Sequence, residues 1–565
     1  MSLLIDLFGY LSIVIHGLTI LAQSMAIGGL VFIMVLVRPL ARRLEPDAAR
    51  AIIAGTTRIT AWAAAGLAVT ELVTVAMQVA ILIDTVNLSL LDTLSAGFAV
   101  AGLVKAAVAL LIAGLLFAFG AMAPRVPLLA CITITLIAAT MTTHAAARLS
   151  GQGPLMLAEG LHQLGAAIWI GGIPAFLIAL ARIHDGVGWR LVAERFSRLS
   201  MLGVACIVIS GTVMTIAYVG SVEAFYGTAF GVMVGAKIAM FLMLLGLGGM
   251  NFLLVRRLRA DPSTPVLRMK RFAEVEVGIG ISIFFAAASL TSVPPGIDLT
   301  RDRVTWQEIV ARNAPEWPRL VSPDHDALAL PALQAKLDAE AEAHKAGTPA
   351  AAFIPGSGEL PPRNAADIAW SEYNHHWAGL FVLAIGLLAL ANQAGARWAR
   401  HWPLVFLGLA IFLFLRSDPE VWPLGEQDFF ASFRDVEVLQ HRMFVVLVAA
   451  FGLFEWRVRT GWSSRAASLV FPLVCAGGGA LLLTHSHAIS NVKDQLLIEL
   501  THTPLALTAI VAGWARWLEL RLPSGRLALA GGGTVSGQSA ARIAAWVWPV
   551  CFVLVGLMLL SYREA

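Results

Sequence analysis

The chain has 565 residues, of which 58% are hydrophobic and only 13% are charged. The charged share is about half that of an ordinary soluble domain, so the composition excludes a soluble globular protein and predicts a membrane protein. The net charge of +4 then indicates basic loops on one side of a membrane rather than binding to nucleic acid.

Apolar runs long enough to cross a bilayer recur from one end of the chain to the other. A hydrocarbon core about 30 Å thick requires roughly 20 apolar residues per helix, and on that measure the sequence predicts about fourteen spans. The first run lacks a basic leader and is too long for a signal-peptide core, so we expect it to be a retained helix. The predicted fold class is all-α, a polytopic bundle of transmembrane helices. The approximate limits of the spans are 8–37, 60–83, 97–121, 126–146, 159–181, 199–219, 229–254, 273–293, 374–393, 402–416, 437–455, 466–485, 499–519 and 542–561.

One long hydrophilic stretch, residues 294–371, interrupts the apolar runs. The segment from Ala327 to Lys345 has the composition of an amphipathic helix, and the Gly- and Pro-bearing remainder is typical of loop. We expect this stretch to be an extracytoplasmic loop. It divides the chain into an eight-helix membrane domain, 1–293, and a six-helix His-rich membrane domain, 372–565.

Basic residues crowd every second loop of this predicted bundle, from Arg38 in the first loop to Arg526 in the last. Basic loops of polytopic proteins are cytoplasmic, so we expect both chain termini to lie outside. Each histidine on a predicted helix then falls at the outer end of its span. Individually satisfied histidines would scatter over both ends, so the one-sided clustering favours a shared outer-face site. These histidines are His16, His144, His162, His375, His376, His441, His485, His487 and His502.

A Glu-x-x-His step stands at the start of three long apolar runs. The steps are Glu159 to His162, Glu372 to His375 and Glu499 to His502, and a fourth run carries the looser pair Glu437 and His441. Residues three or four apart share a helix face, so each step aims a carboxylate and an imidazole at one point. Neutral imidazole is the commonest metal ligand, and a carboxylate either binds the ion or orients the imidazole. A Glu in the first helical turn is also stabilised by the helix dipole alone, but the repetition favours a metal or cofactor site.

The candidate ligands form one set in each half of the chain. The first set is His144, Glu159 and His162, with His16 and the soft donors Met141 and Met156 as further possibilities. The second set is His375, His376, His441, His485, His487 and His502. The pattern does not identify the metal, because imidazole suits copper, zinc and iron alike.

Several other charged residues fall inside predicted spans, where an isolated charge is costly. Glu71 and Lys105 are predicted to form a structural ion pair. Lys237 is compatible either with lining an ion path or with snorkelling to the membrane interface.

Three segments of the first half resemble the copper resistance protein D (CopD) family of bacterial inner-membrane proteins. They are LHQLGAAIWIGGIPAF from Leu161, RFSRLSMLGVACIVISGTVMTIAYVGSVEAFYGTAFGVMVGAKIAMFLMLLGLGGMN from Arg195, and LTSVPPGID from Leu290. The resemblance implies copper movement or copper handling at the inner membrane, with a periplasmic copper-binding partner of the CopC type. It supports His144 and His162 as metal ligands. In the second half, LQHRMFVVLVAAFGLFEW is faintly similar to CtaG-type cytochrome oxidase assembly proteins, which also handle copper.

The sequence therefore leads to a polytopic copper transporter or copper-handling protein that collects the ion at outer-face His and Glu residues. An alternative is a membrane cytochrome or metal reductase in which the same histidines hold haem b. A third interpretation is an assembly partner whose histidines are structural. The sequence contains no Walker loop, so it gives no indication of ATP hydrolysis and favours a transporter over an enzyme.

Overall fold

The structure is a computed structural model of the chain. It describes all residues except 1, 87, 149–150, 301–302, 315, 324–364, 420, 426, 435, 462–463, 465, 485–491, 523–536 and 565. It also leaves undescribed the side chains of 2–7, 365–367, 434, 436–437, 492–495, 497–498 and 537–538. The predicted amphipathic helix from Ala327 to Lys345, His485 and His487 lie outside the described residues, and so does the side chain of Glu437.

Long α-helices dominate the described residues, and the predicted all-α fold is confirmed. We number the long helices α1 to α14. Helix α1 continues through a π-helical segment, Phe32–Val37, to Leu40, and α5 is interrupted by a second π-helical segment, Ala167–Gly171. The helices are α1 Ser2–Val31, α2 Pro46–Val86, α3 Gly97–Phe119, α4 Arg125–Thr140, α5 Gln152–Ala166 continuing as Ile173–Arg182, α6 Gly186–Tyr218, α7 Ala229–Ala260, α8 Leu267–Leu290, α9 Ala365–Gln393, α10 Val405–Arg416, α11 Val436–Arg459, α12 Val470–Leu482, α13 Val492–Arg521 and α14 Gly537–Leu560.

Among the described residues, eleven helices are long and apolar enough to cross a membrane. Two shorter apolar helices, Arg125–Thr140 and Ala467–Leu482, accompany them. Large aliphatic residues such as Leu110, Ile209 and Leu447 are exposed on the outside of the bundle. An exposed apolar belt of this kind is what a lipid environment accommodates, so the chain is a multi-pass membrane protein.

The predicted limits of the spans are too narrow for several helices. Helix α6 begins at Gly186, where the side chain of Asp185 accepts a hydrogen bond from the Gly188 amide at 2.7 Å. A hydropathy criterion finds only the apolar part of such a helix, because it misses capped, polar turns beyond the hydrocarbon. The tenth span, predicted to be short, is a 20-residue helical segment, Arg397–Arg416.

The two halves of the chain share one hydrophobic core. Leu483, Ala506 and Ile510 of the second half pack in the same buried cluster as Ala286 and Met240 of the first half. Helix α13 contacts both α7 and α8, and α12 also contacts α8, so these two helices of the second half join it to the first.

Two further contacts hold α13 against α8. A side-chain carbon on Gly278 of α8 would overlap the Trp514 ring, so only glycine permits this close crossing. One turn away, the Glu274 carboxylate accepts hydrogen bonds from Trp517 Nε1 at 2.9 Å and from the Arg521 guanidinium at 3.0 Å. The junction of the halves is therefore both closely packed and paired by charge.

The predicted structural pair between Glu71 and Lys105 is confirmed. Lys105 Nζ lies 2.5 Å from Glu71 Oε1, and both side chains are almost fully buried between α2 and α3. His16 of α1 lies within electrostatic range of this ammonium group. Because Glu71 and Lys105 neutralise each other, these two charges inside the membrane domain need no functional role to explain them.

The described part of the hydrophilic stretch packs at the histidine-bearing end of the bundle. A short helix, Trp306–Arg312, begins with a capping box between Thr305 and Glu308. Beyond it, the Arg319 guanidinium pairs with Glu372 of α9 at 3.3 Å. The segment from 294 is thereby fixed beside the second set of candidate ligands.

Candidate metal centre

None of the three Glu-x-x-His steps lies in the first described turn of its helix. In α5 the Glu is the eighth residue and the His is the eleventh, and the described parts of α9 and α13 place at least seven helical residues before Glu372 and Glu499. The expectation that these steps open their helices is wrong, because each His lies about 15 Å along the helix axis. The helix dipole acts within the first turn only, so it does not account for these glutamates.

His162 on α5 is oriented by a hydrogen bond to the neighbouring helix. Its Nδ1 lies 3.1 Å from Ser210 Oγ on α6. The Ser210 hydroxyl donates its own proton to the Cys206 carbonyl at 2.6 Å, so the imidazole Nδ1–H must be the donor to Ser210. This network assigns the lone pair of the ring to Nε2, the nitrogen that a metal would bind.

His144 lies in the short helical turn His144–Ala147, between α4 and α5. One ring nitrogen bonds to the Leu290 backbone, and the other, Nε2, is buried with no hydrogen-bond partner among the described residues. The ring is packed edge-on against Tyr218 and Phe230, each at 6.3 Å. Burial lowers the pKa of the His144 imidazole below its ordinary value, which keeps the ring neutral and able to bind a metal.

Glu159 lies one helical turn from His162 and within electrostatic range of Lys237 on α7. Lys237 also acts on His162, so the three residues form one cluster. Gln163 hydrogen-bonds to Glu159 and accepts a hydrogen bond from Gln23 Nε2 at 3.0 Å. The structure therefore favours the interpretation in which Lys237 lines a polar site over the one in which it snorkels to the membrane interface.

Tyr218 at the end of α6 is a member of this cluster that sequence reasoning missed. Its ring packs against His144, it lies within electrostatic range of Glu159, and its hydroxyl is buried without a hydrogen-bond partner in the described structure. A buried hydroxyl without a partner is costly. The signal was present in the sequence, since Tyr218 lies within one of the segments on which the family resemblance rests. We call His144, Glu159, His162, Tyr218 and Lys237 the first-half cluster.

In the second half, His375 of α9 and His502 of α13 face each other with their ring centroids 6.2 Å apart. Tyr562, just beyond α14, stacks on His375 at 3.9 Å and meets His502 edge-on at 6.0 Å. His375 Nδ1 donates to the Ser371 carbonyl at 2.8 Å, which again assigns the lone pair to Nε2. We call His375, Glu499, His502 and Tyr562 the second-half cluster.

A close crossing of α9 and α14 places Tyr562 beside the histidines. Any side chain at Gly556 of α14 would collide with the backbone of Leu383, and one at Gly386 would collide with the backbone of Val553. Small residues at both crossing points bring the two helix axes together. The turn that follows α14 consequently reaches the face of α9 that carries His375.

His376, the neighbour of His375 in sequence, has both ring nitrogens bonded to the backbone. Its Nδ1 accepts a hydrogen bond from the Arg319 amide at 2.7 Å, and its Nε2 donates to the Tyr562 carbonyl at 2.8 Å. The side chain ties α9 to the hydrophilic segment and to the residues after α14. A metal would bind His376 only after one of these bonds had broken.

His441 of α11 pairs with an acidic residue that sequence reasoning missed. Its Nδ1 lies 2.6 Å from Asp418 Oδ1, and Asp418 is itself buried beside Arg442. Metal-bound histidines commonly donate one N–H to such a carboxylate, which fixes the ring and makes it a better ligand. Asp418 follows α10 and lies 23 positions before His441, so no helical spacing in the sequence points to it.

The structure separates the candidate ligands into the first-half cluster, the second-half cluster and the pair of His441 and Asp418. His16 lies apart from all three, near Lys105. Among the described residues, no three side chains of His, Cys, Asp or Glu converge closely enough to hold an ion by themselves. The recurring feature is instead the tautomer: His162, His375 and His441 each direct Nδ1–H to an oxygen atom, as metal-binding histidines do.

Comparison with known proteins agrees with the family resemblance. Residues 190–290 match the family described as Copper resistance protein D. The protein named Copper transport protein CutJ, from Bacillus subtilis (strain 168), is 31% identical over 163 residues. The aligned segment covers 28% of this chain and 29% of that relative, so the match spans less than a third of the curated protein. No solved structure matches the chain.

Proposed function

Because residues 190–290 match the copper resistance protein D family, we propose that this chain moves copper across the bacterial inner membrane. The ion enters at the histidine-bearing end of the bundle, where both histidine clusters lie. The observation that carries this proposal is that Nδ1 of His162, His375 and His441 lies within hydrogen-bonding distance of an oxygen atom, the arrangement found in metal-binding histidines. Neutral imidazole with a fixed tautomer is a suitable ligand for copper.

The first-half cluster is suited to a cation that binds reversibly. Its candidate donors are His144, His162 and Glu159, which do not converge on one point in the described structure, and Lys237 lies within electrostatic range of the Glu159 carboxylate and of His162. An entering copper ion competes with the Lys237 ammonium for Glu159. Such competition weakens binding, which suits a transported ion because a transported ion must also be released.

The second-half cluster offers a separate site built from His375 and His502. His441 lies on α11 and pairs with Asp418, which follows α10, and His485 and His487 complete the candidate set from the sequence. We propose that these ligands belong to the His-rich membrane domain, 372–565, and the first-half cluster to the domain 1–293. Residues 294–371 form the loop between the two domains.

The direction of the bundle follows from the basic loops, which we assign to the cytoplasm. The histidine-bearing end then faces the periplasm. A periplasmic copper-binding protein of the CopC type is the donor that this arrangement requires. The described residues between Gly296 and Ser322 lie at that end and supply a surface on which a donor can dock.

The haem alternative does not fit the described histidines. His375 and His502 already lie within the 4.5–7 Å range at which aromatic rings touch. A porphyrin held between two axial histidines requires an open slot between their rings.

Copper binding by the purified protein, with an absorption spectrum, tests the proposal. We expect the wild type to bind copper and to show no haem Soret band. His162→Ala and His502→Ala should each lower copper affinity and the copper-dependent growth phenotype of cells. His184→Ala is the matched control, because His184 is exposed in the loop between α5 and α6. Unchanged copper binding in both cluster variants would make the histidines structural and overturn the proposal.

A further inference from the structure

A small cavity lies at the junction of the two halves, where α7 and α8 meet α12 and α13. Half of the lining residues are alanine and leucine, and the other four carry donor atoms: Met233, Glu499, His502 and Thr503. We infer that Met233 is a thioether ligand which, with His502 and Glu499, forms a Cu(I) site shared by the two halves. This inference rests on the proposed function and extends it to a named ligand and an oxidation state.

Met233 is held firmly at this junction. It is only 6% exposed, and it packs in one buried cluster with Tyr218 of the first-half cluster and Leu496 of α13. The thioether therefore comes from the first half of the chain, whereas the imidazole and the carboxylate come from the second. Neither half contains the complete site.

The chemistry of these donors selects a soft ion. Thioether and imidazole ligands together favour Cu(I), whereas carboxylates and water favour hard divalent cations. Glu499 is 6% exposed, and its carboxylate adds a charged donor to the wall of the cavity. A site that includes a methionine also agrees with the absence of any three convergent His, Cys, Asp or Glu side chains among the residues searched.

A proline lies within α13 beside this cavity. Pro504 lies inside the helix and lacks the amide that would bond to the carbonyl four residues earlier. The turn that carries His502 and Thr503 is thus freed from one helical hydrogen bond.

Met233 also connects the two histidine clusters. Lys237 of the first-half cluster lies four residues further along α7, on nearly the same face of the helix. Met233 therefore stands about 6 Å along the helix axis from Lys237, while it lines the same cavity as His502. A copper ion passing from one cluster to the other meets this thioether on the way.

The test uses the full-length protein in detergent and a His162→Ala background, which removes the first-half site. Cu(I) is titrated against a competing Cu(I) chelator, and X-ray absorption reports whether sulfur is among the copper ligands. Met233→Leu keeps the volume and removes the sulfur. The matched control is Met269→Leu, because Met269 is equally buried in α8 but does not line the cavity.

We expect Met233→Leu to lower the Cu(I) affinity at least about tenfold and to abolish the sulfur signal. Met269→Leu should change neither. If the Met233→Leu protein does not fold, Met233→His is used in its place. We expect Met233→His to lose the sulfur signal in the X-ray absorption spectrum and to keep the Cu(I) affinity of the wild type. Wild-type affinity and a persistent sulfur signal in folded Met233→Leu would refute the Met233 site alone. Failure of the wild type to bind copper would instead refute the proposed function.

Discussion

Hydrogen-bond partners decide which histidines of this chain are able to bind a metal. His375 and His376 are neighbours in sequence, yet His375 uses one ring nitrogen and His376 uses both. The sequence made them equivalent candidates, because the partners of His376 come from Arg319 and Tyr562, far away along the chain. The role of Ser210 was not predictable for the same reason, because Ser210 orients His162 from another helix.

Ser210→Ala tests the orientation of His162. The substitution removes the oxygen that accepts the imidazole Nδ1–H, so the ring loses its fixed tautomer. We expect copper affinity at the first-half site to fall about 10- to 100-fold, as for other residues that orient a metal ligand. The measurement is a copper titration in a His502→Ala background, in which the second-half cluster is disabled.

Ser200→Ala is the control for that experiment. Ser200 lies on the same helix, α6, about 15 Å along the axis from Ser210, and its hydroxyl has no partner in the described structure. Its removal should leave copper affinity unchanged. Ser210→Ala with wild-type affinity would show that the hydrogen bond to His162 has no part in binding.

At the level of helices, the sequence predicted which segments are helical more accurately than it predicted the residues at which the helices begin. Apolar runs located the spans because the hydrocarbon core requires them. The polar first turns of α5 and α6 were missed because hydropathy does not detect them, although Asp185 is a recognisable N-cap residue. Because of this error, the Glu-x-x-His steps were predicted to lie at the helix ends, where the helix dipole alone would account for Glu159.

The crossing of α8 and α13 makes a prediction about stability. Gly278→Ala places a methyl group on the Trp514 ring, and the helices must separate to accept it. We expect a loss of about 1–3 kcal/mol, the usual cost of overpacking. A thermal unfolding series of the detergent-purified protein measures it.

Gly246→Ala is the matched control because a methyl group at this position of α7 meets no atom within 4 Å. Its stability should stay within about 1 kcal/mol of the wild type, since alanine favours a helix over glycine. Equal stability of the two variants would mean that the α8 and α13 crossing is not a tight contact.

For the whole molecule, the sequence predicted two halves with a set of candidate ligands in each, but not how they meet. The junction depends on pairs such as Gly278 with Trp514 and Glu274 with Arg521, which are more than 200 positions apart in the chain. No periodic pattern reports such a pair. The cavity at Met233 belongs to this junction, so neither the cavity nor the thioether in its wall was predictable from hydropathy or from the spacing of histidines.

The distribution of basic residues among the loops also predicts how the molecule is oriented in the membrane. In a variant without native cysteines, Ser263→Cys places a thiol in the basic loop between α7 and α8. Trp317→Cys places one at the histidine-bearing end, where Trp317 is 97% exposed. A membrane-impermeant thiol reagent added to spheroplasts should label Trp317→Cys at once and Ser263→Cys only after permeabilisation, because basic loops stay in the cytoplasm. The reverse pattern would place both histidine clusters on the cytoplasmic side, where a periplasmic copper donor cannot reach them.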